Sequence, residues 1–160
     1  MRIIFLDFDG PIIPIQSHET RRAPMEKAWP PCITALNRIT AETGAKIVVS
    51  SSWRGGGLRE MQHLLKAWGV TGDVIAVTPY CYVQKHGYNH AVQRGIEIQA
   101  YLDLTRNVES FVILDDDRDM VHLMPFLIQT PFEVGLTEAD ADRAIGMLRT
   151  RNWPLITAEA

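Results

Sequence analysis

A doubly wound α/β fold, with a parallel sheet covered by helices on both faces, follows from three features of this 160-residue chain. Short continuous apolar runs recur at Ile3 to Phe8, Ile47 to Val49, "GDVIAV" at 72–77 and Phe111 to Leu114. Their length and lack of alternation suit strands buried on both faces. Between them lie stretches with apolar residues at helical spacing. The two patterns alternate along the chain, and right-handed crossovers turn that alternation into a parallel sheet.

The elements follow in order. The first strand spans Ile3 to Phe8, and Gly10 and Pro11 stop it. Residues 11–31 hold five prolines together with Ser17, His18, Glu19, Arg21 and Arg22, the composition of a short surface excursion or flap with at most a small hairpin or a single turn. Pro31 suits the first turn of a helix that runs to about Thr43 with Ile33, Leu36 and Ile39 on one face, and Gly44 ends it. In "KIVVSSSWRGGG" the second strand gives way to a loop of serines and glycines. Leu58, Met61, Leu64, Leu65 and Trp68 mark the next helix, closed by Gly69. After the third strand a polar loop through Gly87 leads to a helix expected over His90 to Leu102. "SFVILDDDRD" is a strand running into carboxylates. Met120 to Met124 suggest a short helix and Phe126 to Ile128 a fifth strand. Thr137 is placed as N-cap of a last helix with acidic residues in its first turn.

Composition narrows the class. Hydrophobic residues are 46% and charged ones 22%, the balance of a soluble globular domain, and one domain over 1–160 is expected. A net charge of −3 gives no general attraction to nucleic acid, although a local basic patch is compatible with it. Cys32 and Cys81 have neither CxxC nor Cys/His ligand spacing and are too few for a disulfide framework, so a cytoplasmic location is expected. The apolar start is cut off at Asp7, which argues against a membrane span there.

In such a sheet the ligand site lies beyond the carboxyl ends of the strands. Asp7 and Asp9 follow the first strand, Ser50 and Ser51 the second, and Asp115 and Asp116 a later one. Side chains in a strand alternate faces, so Asp7 and Asp9 point to the same side while Phe8 points away. Carboxylates crowded together repel unless a cation sits among them, and oxygen ligands without His or Cys select a hard ion such as Mg²⁺.

"DFDG" after an apolar strand, a hydroxyl residue ending the next, a basic residue opening a later helix and "LDDD" after another strand resemble the haloacid dehalogenase (HAD) superfamily of phosphatases. More narrowly, "SSSWR", "RGIEIQAYL" and "FVILDDD" followed by "GLTEADA" are similar to the small HAD domains related to bacterial and phage RNA-repair proteins. The resemblance implies a Rossmann-like HAD core without a large cap domain, and a Mg²⁺-dependent phosphatase acting through an aspartyl-phosphate. It makes Asp7 the nucleophile and Asp9 the general acid and base, with its backbone carbonyl on the metal. Ser50 or Ser51 becomes a phosphoryl contact, Arg94 or Lys85 the cation, and Asp115 with Asp116 or Asp119 the remaining metal ligands. The family usually carries Thr or Val where this chain has Pro11, which removes a backbone donor.

Other readings attach to the same residues. Trp53 and Arg54 suit a base or a second phosphate, or Trp53 packs against the sheet edge. His18, Arg21 and Arg22 are substrate contacts or solvated surface. "GGG" at 55–57 has no Lys-Ser/Thr partner, so a phosphate-cradling P-loop is not supported. His63, His86, His90 and His122 have no metal spacing. Neither 11–31 nor 70–90 has room for more than a flap, so an open site admitting a bulky phosphate (a nucleic-acid end, a nucleotide or a phosphoprotein) is expected, with a second subunit as an alternative source of a lid; the resemblance to RNA-repair domains implies the nucleotide or nucleic-acid end. A catalytically weak or inactive regulatory domain on the same fold is the main rival. A receiver-type signalling domain is a poorer match, because "VTPY" follows the third strand.

Overall fold

The computed structural model describes residues 1–20 and 23–153. In chain order its elements are β1 (Arg2–Leu6), α1 (Ile15–Thr20), α2 (Pro30–Thr43), β2 (Lys46–Val49), α3 (Gly57–Ala67), β3 (Val74–Val77), β4 (Tyr82–Lys85), β5 (Tyr88–Ala91), α4 (Arg94–Leu104), β6 (Ser110–Asp115), β7 (Leu127–Gln129) and α5 (Glu138–Arg149). Short 3₁₀ turns occupy Pro24–Glu26, Ser52–Gly56 and Val121–Phe126. Five strands form one parallel sheet in the order β3-β2-β1-β6-β7. The order reverses at β1, between β2 and β6, where the crossovers diverge to leave a crevice.

β1 is buried on both faces because its residues alternate between two cores. Ile4 and Leu6 meet α2, α3 and α5 through Leu36, Ile39, Met61, Leu65, Ala144 and Leu148. Ile3 and Phe5 meet α4 and its surroundings through Ile98, Leu102, Phe111 and Leu123. This placement accounts for the apolar run without alternation. Thr137 caps α5 as its sequence suggests, accepting from the Asp140 amide while Asp140 accepts from the Thr137 amide. No helix among the described residues is long and apolar enough to cross a membrane.

Two stretches depart from expectation. The excursion at 11–31 contains α1, six residues long, where at most a small hairpin or a single turn was expected; Arg21 and Arg22 lie outside the described residues. The helix expected from His90 begins instead at Arg94, because residues 82–91 pair as an antiparallel hairpin. His86 and Gly87 both have positive φ, 52° and 81°, the backbone of a two-residue type I′ turn. Every residue of β4 and β5 is exposed, so no buried face stamps a period on that stretch of sequence.

Gly95 tests the packing of α4. A Cβ there would sit 2.1 Å from the carbonyl oxygen of Met120. Alanine ordinarily stabilises a helix interior over glycine by about 1 kcal/mol. Here the clash with backbone outweighs that gain, and Gly95→Ala is expected to lower unfolding free energy by roughly 1–3 kcal/mol. Urea denaturation checks the sign; an unchanged or raised midpoint contradicts the packing.

Candidate active site

β1 ends one residue before Asp7, whose amide still donates to the Leu114 carbonyl of β6 at 3.0 Å. Leu6 and Leu114 are register partners in neighbouring parallel strands, so Asp7 and Asp115 leave the sheet side by side. One oxygen each of Asp7, Asp115 and Asp116 lies within 4.8 Å of the others. Asp7 is 8% exposed and Asp115 2%, with Asp116 half-buried. Gly10 makes room for this approach. Its φ of +94° carries the turn after Asp9, and a Cβ there would meet the Asp116 Cβ at 2.5 Å.

Burial is the main cause that raises the Asp7 carboxyl to about 6, against the Ser51 hydroxyl and the Arg94 charge, which pull it down. Burial, then the neighbouring charge of Asp7, raises Asp115 to about 8. Asp116 is raised too, first by burial. Among the described residues the buried Oδ2 of Asp115 finds no hydrogen-bond donor. A trio of hard oxygen donors with one orphaned lone-pair site fits a hard divalent cation.

Asp9 has a different environment. Its carboxylate accepts from the Trp53 indole Nε1–H at 2.9 Å and faces His18 Nε2 of α1 at 3.3 Å. β1 stops at Leu6, short of the expected Phe8, yet the charge of Asp9 still reaches Asp7 and Asp116 and helps to raise both. Residues 8–13 turn instead, with the Ile12 and Ile13 amides donating to the Phe8 carbonyl. Phe8 is fully buried against Trp68 and Trp53. Pro11, which has no amide donor, accepts through its carbonyl from the Leu136 amide at 2.9 Å.

The two serines separate by role. Ser51's hydroxyl faces Asp7, where it favours the ionised carboxylate, and accepts from the Trp53 amide at 3.3 Å. Ser50 is fully buried, its amide donating to Leu6, and its hydroxyl has no partner among the described residues. The two candidate cations separate as well. Arg94 Nε stands 3.9 Å from Asp115 Oδ2, while its amide donates to the Asp119 carboxylate, which thereby caps α4. Lys85 lies exposed on the hairpin, and its ammonium has no ion pair or hydrogen bond to another described residue.

Arg54, expected beside Trp53 as a substrate contact, is buried and fully engaged. Its Nε donates to the Thr78 carbonyl at 2.9 Å, Nη1 to Ser51 at 2.7 Å and Ser50 at 3.5 Å, and Nη2 to Pro79 at 3.2 Å and Glu97 at 2.6 Å. All five donors are spent within the protein, so the group positions loops and has none left for a ligand. Glu97, which sequence reading did not single out, also accepts from Arg94 Nη1 at 3.3 Å and from the Cys81 amide at 3.1 Å. Its only sequence signal is the three-residue helical spacing from Arg94.

These shifts fix a pH dependence. Asp7 and Asp115 titrate higher when folded than at their ordinary 3.8, so the folded chain binds more protons between about 4 and 8. Stability of metal-stripped protein is therefore expected to fall as pH rises through that window. A divalent cation should restore it, more at about pH 8.5 than at about pH 5, because it competes with protons. Asp115→Asn should raise the melting temperature in chelator and flatten its pH profile. Melting curves across pH check this; a metal-free protein that gains stability with pH contradicts the crowding.

No curated protein matches the chain. The HAD domain in Swiss Army Knife RNA repair proteins matches residues 3–141, from β1 into α5 and across every strand end described above. Strand order, crevice and match coincide, and this chain belongs to that family of HAD domains.

Proposed function

We propose that this protein is a Mg²⁺-dependent phosphoric monoester hydrolase that works through a phosphoaspartate on Asp7, acting on a nucleotide or nucleic-acid end. The observation that carries the reading is the convergence on Asp7 of Asp115, Asp116, the Ser51 hydroxyl and the Arg94 guanidinium, at the crevice where strand order reverses. Asp7, Asp115 and Asp116 would hold the Mg²⁺, with the backbone carbonyl of Asp9. When bound, the ion neutralises charge among the carboxylates and on the phosphoryl group.

The chain's own groups account for the rest. A carboxylate oxygen of Asp7 attacks phosphorus in line, the bond to the ester oxygen breaks, and Asp9 gives that oxygen its proton. Asp9 then takes a proton from water as the water attacks the same phosphorus. Phosphate leaves and the Asp7 carboxylate is regenerated. Ser51 and Arg94 offer donors to phosphoryl oxygens as charge shifts toward the leaving group. Trp53 and His18 orient the Asp9 carboxylate for both transfers. The nucleic-acid assignment draws on the family's description and on a site edge built from short insertions.

Hydrolysis of a small chromogenic phosphate tests the reading directly. Activity is expected to require Mg²⁺ and to vanish in Asp7→Asn. Asp9→Ala is expected to lose roughly 10²–10⁴-fold, the usual worth of a general acid. Mg²⁺ binding without turnover on small phosphates and on 3′- and 5′-phosphorylated oligonucleotides would leave a binding domain and defeat the proposal.

A further inference from the structure

The β4–β5 hairpin rises from the site and is exposed along its whole length. It lies within residues 74–96, the longest stretch of this acidic chain with no Asp or Glu, which also holds Lys85, Arg94, His86 and His90. Three of the chain's four tyrosines lie in it, Tyr80 at 46%, Tyr82 at 56% and Tyr88 at 73% exposure. A bare two-stranded hairpin is marginal on its own, and this one is tied down at its base. Tyr80's hydroxyl donates to the Ser52 carbonyl, the Cys81 amide to Glu97, and the Arg54 guanidinium lies 4.0 Å from the centre of the Tyr80 ring. Ser52 follows the serine that faces Asp7, so the base of the hairpin is tied to the loop beside the nucleophile.

Pairing register divides the hairpin into two faces. Tyr82 shares its face with Gln84, Asn89 and Ala91; Tyr88 shares the other with Val83, Lys85 and His90. Only the first is continuous with the site, because the Tyr82 ring lies 6.3 Å from that of Tyr80 and within 15° of parallel. Beyond Tyr82 on that face lie the amides of Gln84 and Asn89, hydrogen-bonded to each other at 2.7 Å.

We infer that the Tyr82 face of this hairpin is a stacking platform for the unpaired nucleotides that adjoin the phosphate bound at Asp7. The occupant is a single-stranded nucleic-acid end. Its bases have flat faces for tyrosine, its edges have partners for the two amides, and its backbone charge meets a segment free of acids. The inference rests on the phosphatase reading for the position of the terminal phosphate, but the platform itself is a matter of binding.

Fluorescence anisotropy of the full chain with dye-labelled, phosphorylated eight-nucleotide single strands tests it, in RNA and DNA arms that separate the two sources of a stacked base. Tyr82→Ala is expected to weaken binding about tenfold, the order of one stacked base, while Tyr82→Trp keeps it. Tyr88→Ala, on the opposite face, is expected to change it less than about twofold, since it removes no ring from the stacked column. Hydrolysis of the small chromogenic phosphate should be the same in all three variants. Equal losses in Tyr82→Ala and Tyr88→Ala, no loss in either, or tighter binding of a phosphopeptide than of the strands would overturn the platform. Absence of hydrolysis by the wild type would defeat the phosphatase reading alone, with the anisotropy still deciding the hairpin.

Discussion

Three carboxylates withdrawn from water onto one small patch repel one another, and the site is organised around that repulsion. The parallel register makes the encounter unavoidable. Once Leu6 pairs with Leu114, the next residues of β1 and β6 are carried out together at the spacing of adjacent strands. At about 5 Å and an effective dielectric near 20, each pair of full charges repels by roughly 3 kcal/mol. Burial adds to this by penalising the ionised forms, and it is the leading cause for all three groups. Without a cation the cheapest escape is protonation; with one, the same geometry becomes a binding site. The core that buries Ile3 to Leu6 thus sets the electrostatics at the end of the strand.

Among the described residues Arg94 is the positive group set against this patch that the structure also restrains from behind. Its guanidinium stands between Asp115 and Glu97, and Glu97 in turn holds the buried Arg54. A buried arginine without a partner costs several kcal/mol, so Glu97 and Arg54 require each other. Arg54 spends its remaining donors on the carbonyls of Ser50, Ser51, Thr78 and Pro79, the ends of β2 and β3. An ion-pair chain therefore runs from the carboxylate cluster to the loops that present Ser51 and launch the hairpin. Moving Arg94 disturbs Glu97, and through it the hairpin's base at Cys81.

The legible parts of this site were those fixed by burial. Continuous apolar runs ending in Asp7 and Asp115 pointed to two central strands, because a strand covered on both faces has no polar positions to blur it. The helix caps at Thr137 and Gly44 were legible for a similar local reason. What stayed hidden depended on partners distant in sequence. The burial of Arg54 needs acceptors from residues 50 to 97, and nothing in "SSSWR" announces them. The end of β1 at Leu6 rather than Phe8 is set by the turn through Gly10. Ser50 and Ser51 differ by a single step. The hairpin was invisible for the opposite reason: with both faces in water, no hydrophobic period distinguishes it from a loop.

α1 with its neighbouring turn and the β4–β5 hairpin are short elements beside the site, and their size constrains how a site like this one discriminates. A phosphate held at Asp7 contacts groups that any phosphomonoester would satisfy equally, so those contacts contribute affinity without choice. Selection has to come from what the substrate carries beyond the phosphate and from which neighbouring surface meets it. On the proposed mechanism His18 and Trp53 border the leaving-group side, since both rings contact Asp9, the residue assigned to protonate the ester oxygen. The hairpin is the border with uncommitted flat surface and no negative charge. On the proposed function it is where a larger phosphorylated molecule would gain the contacts that distinguish it from a small one.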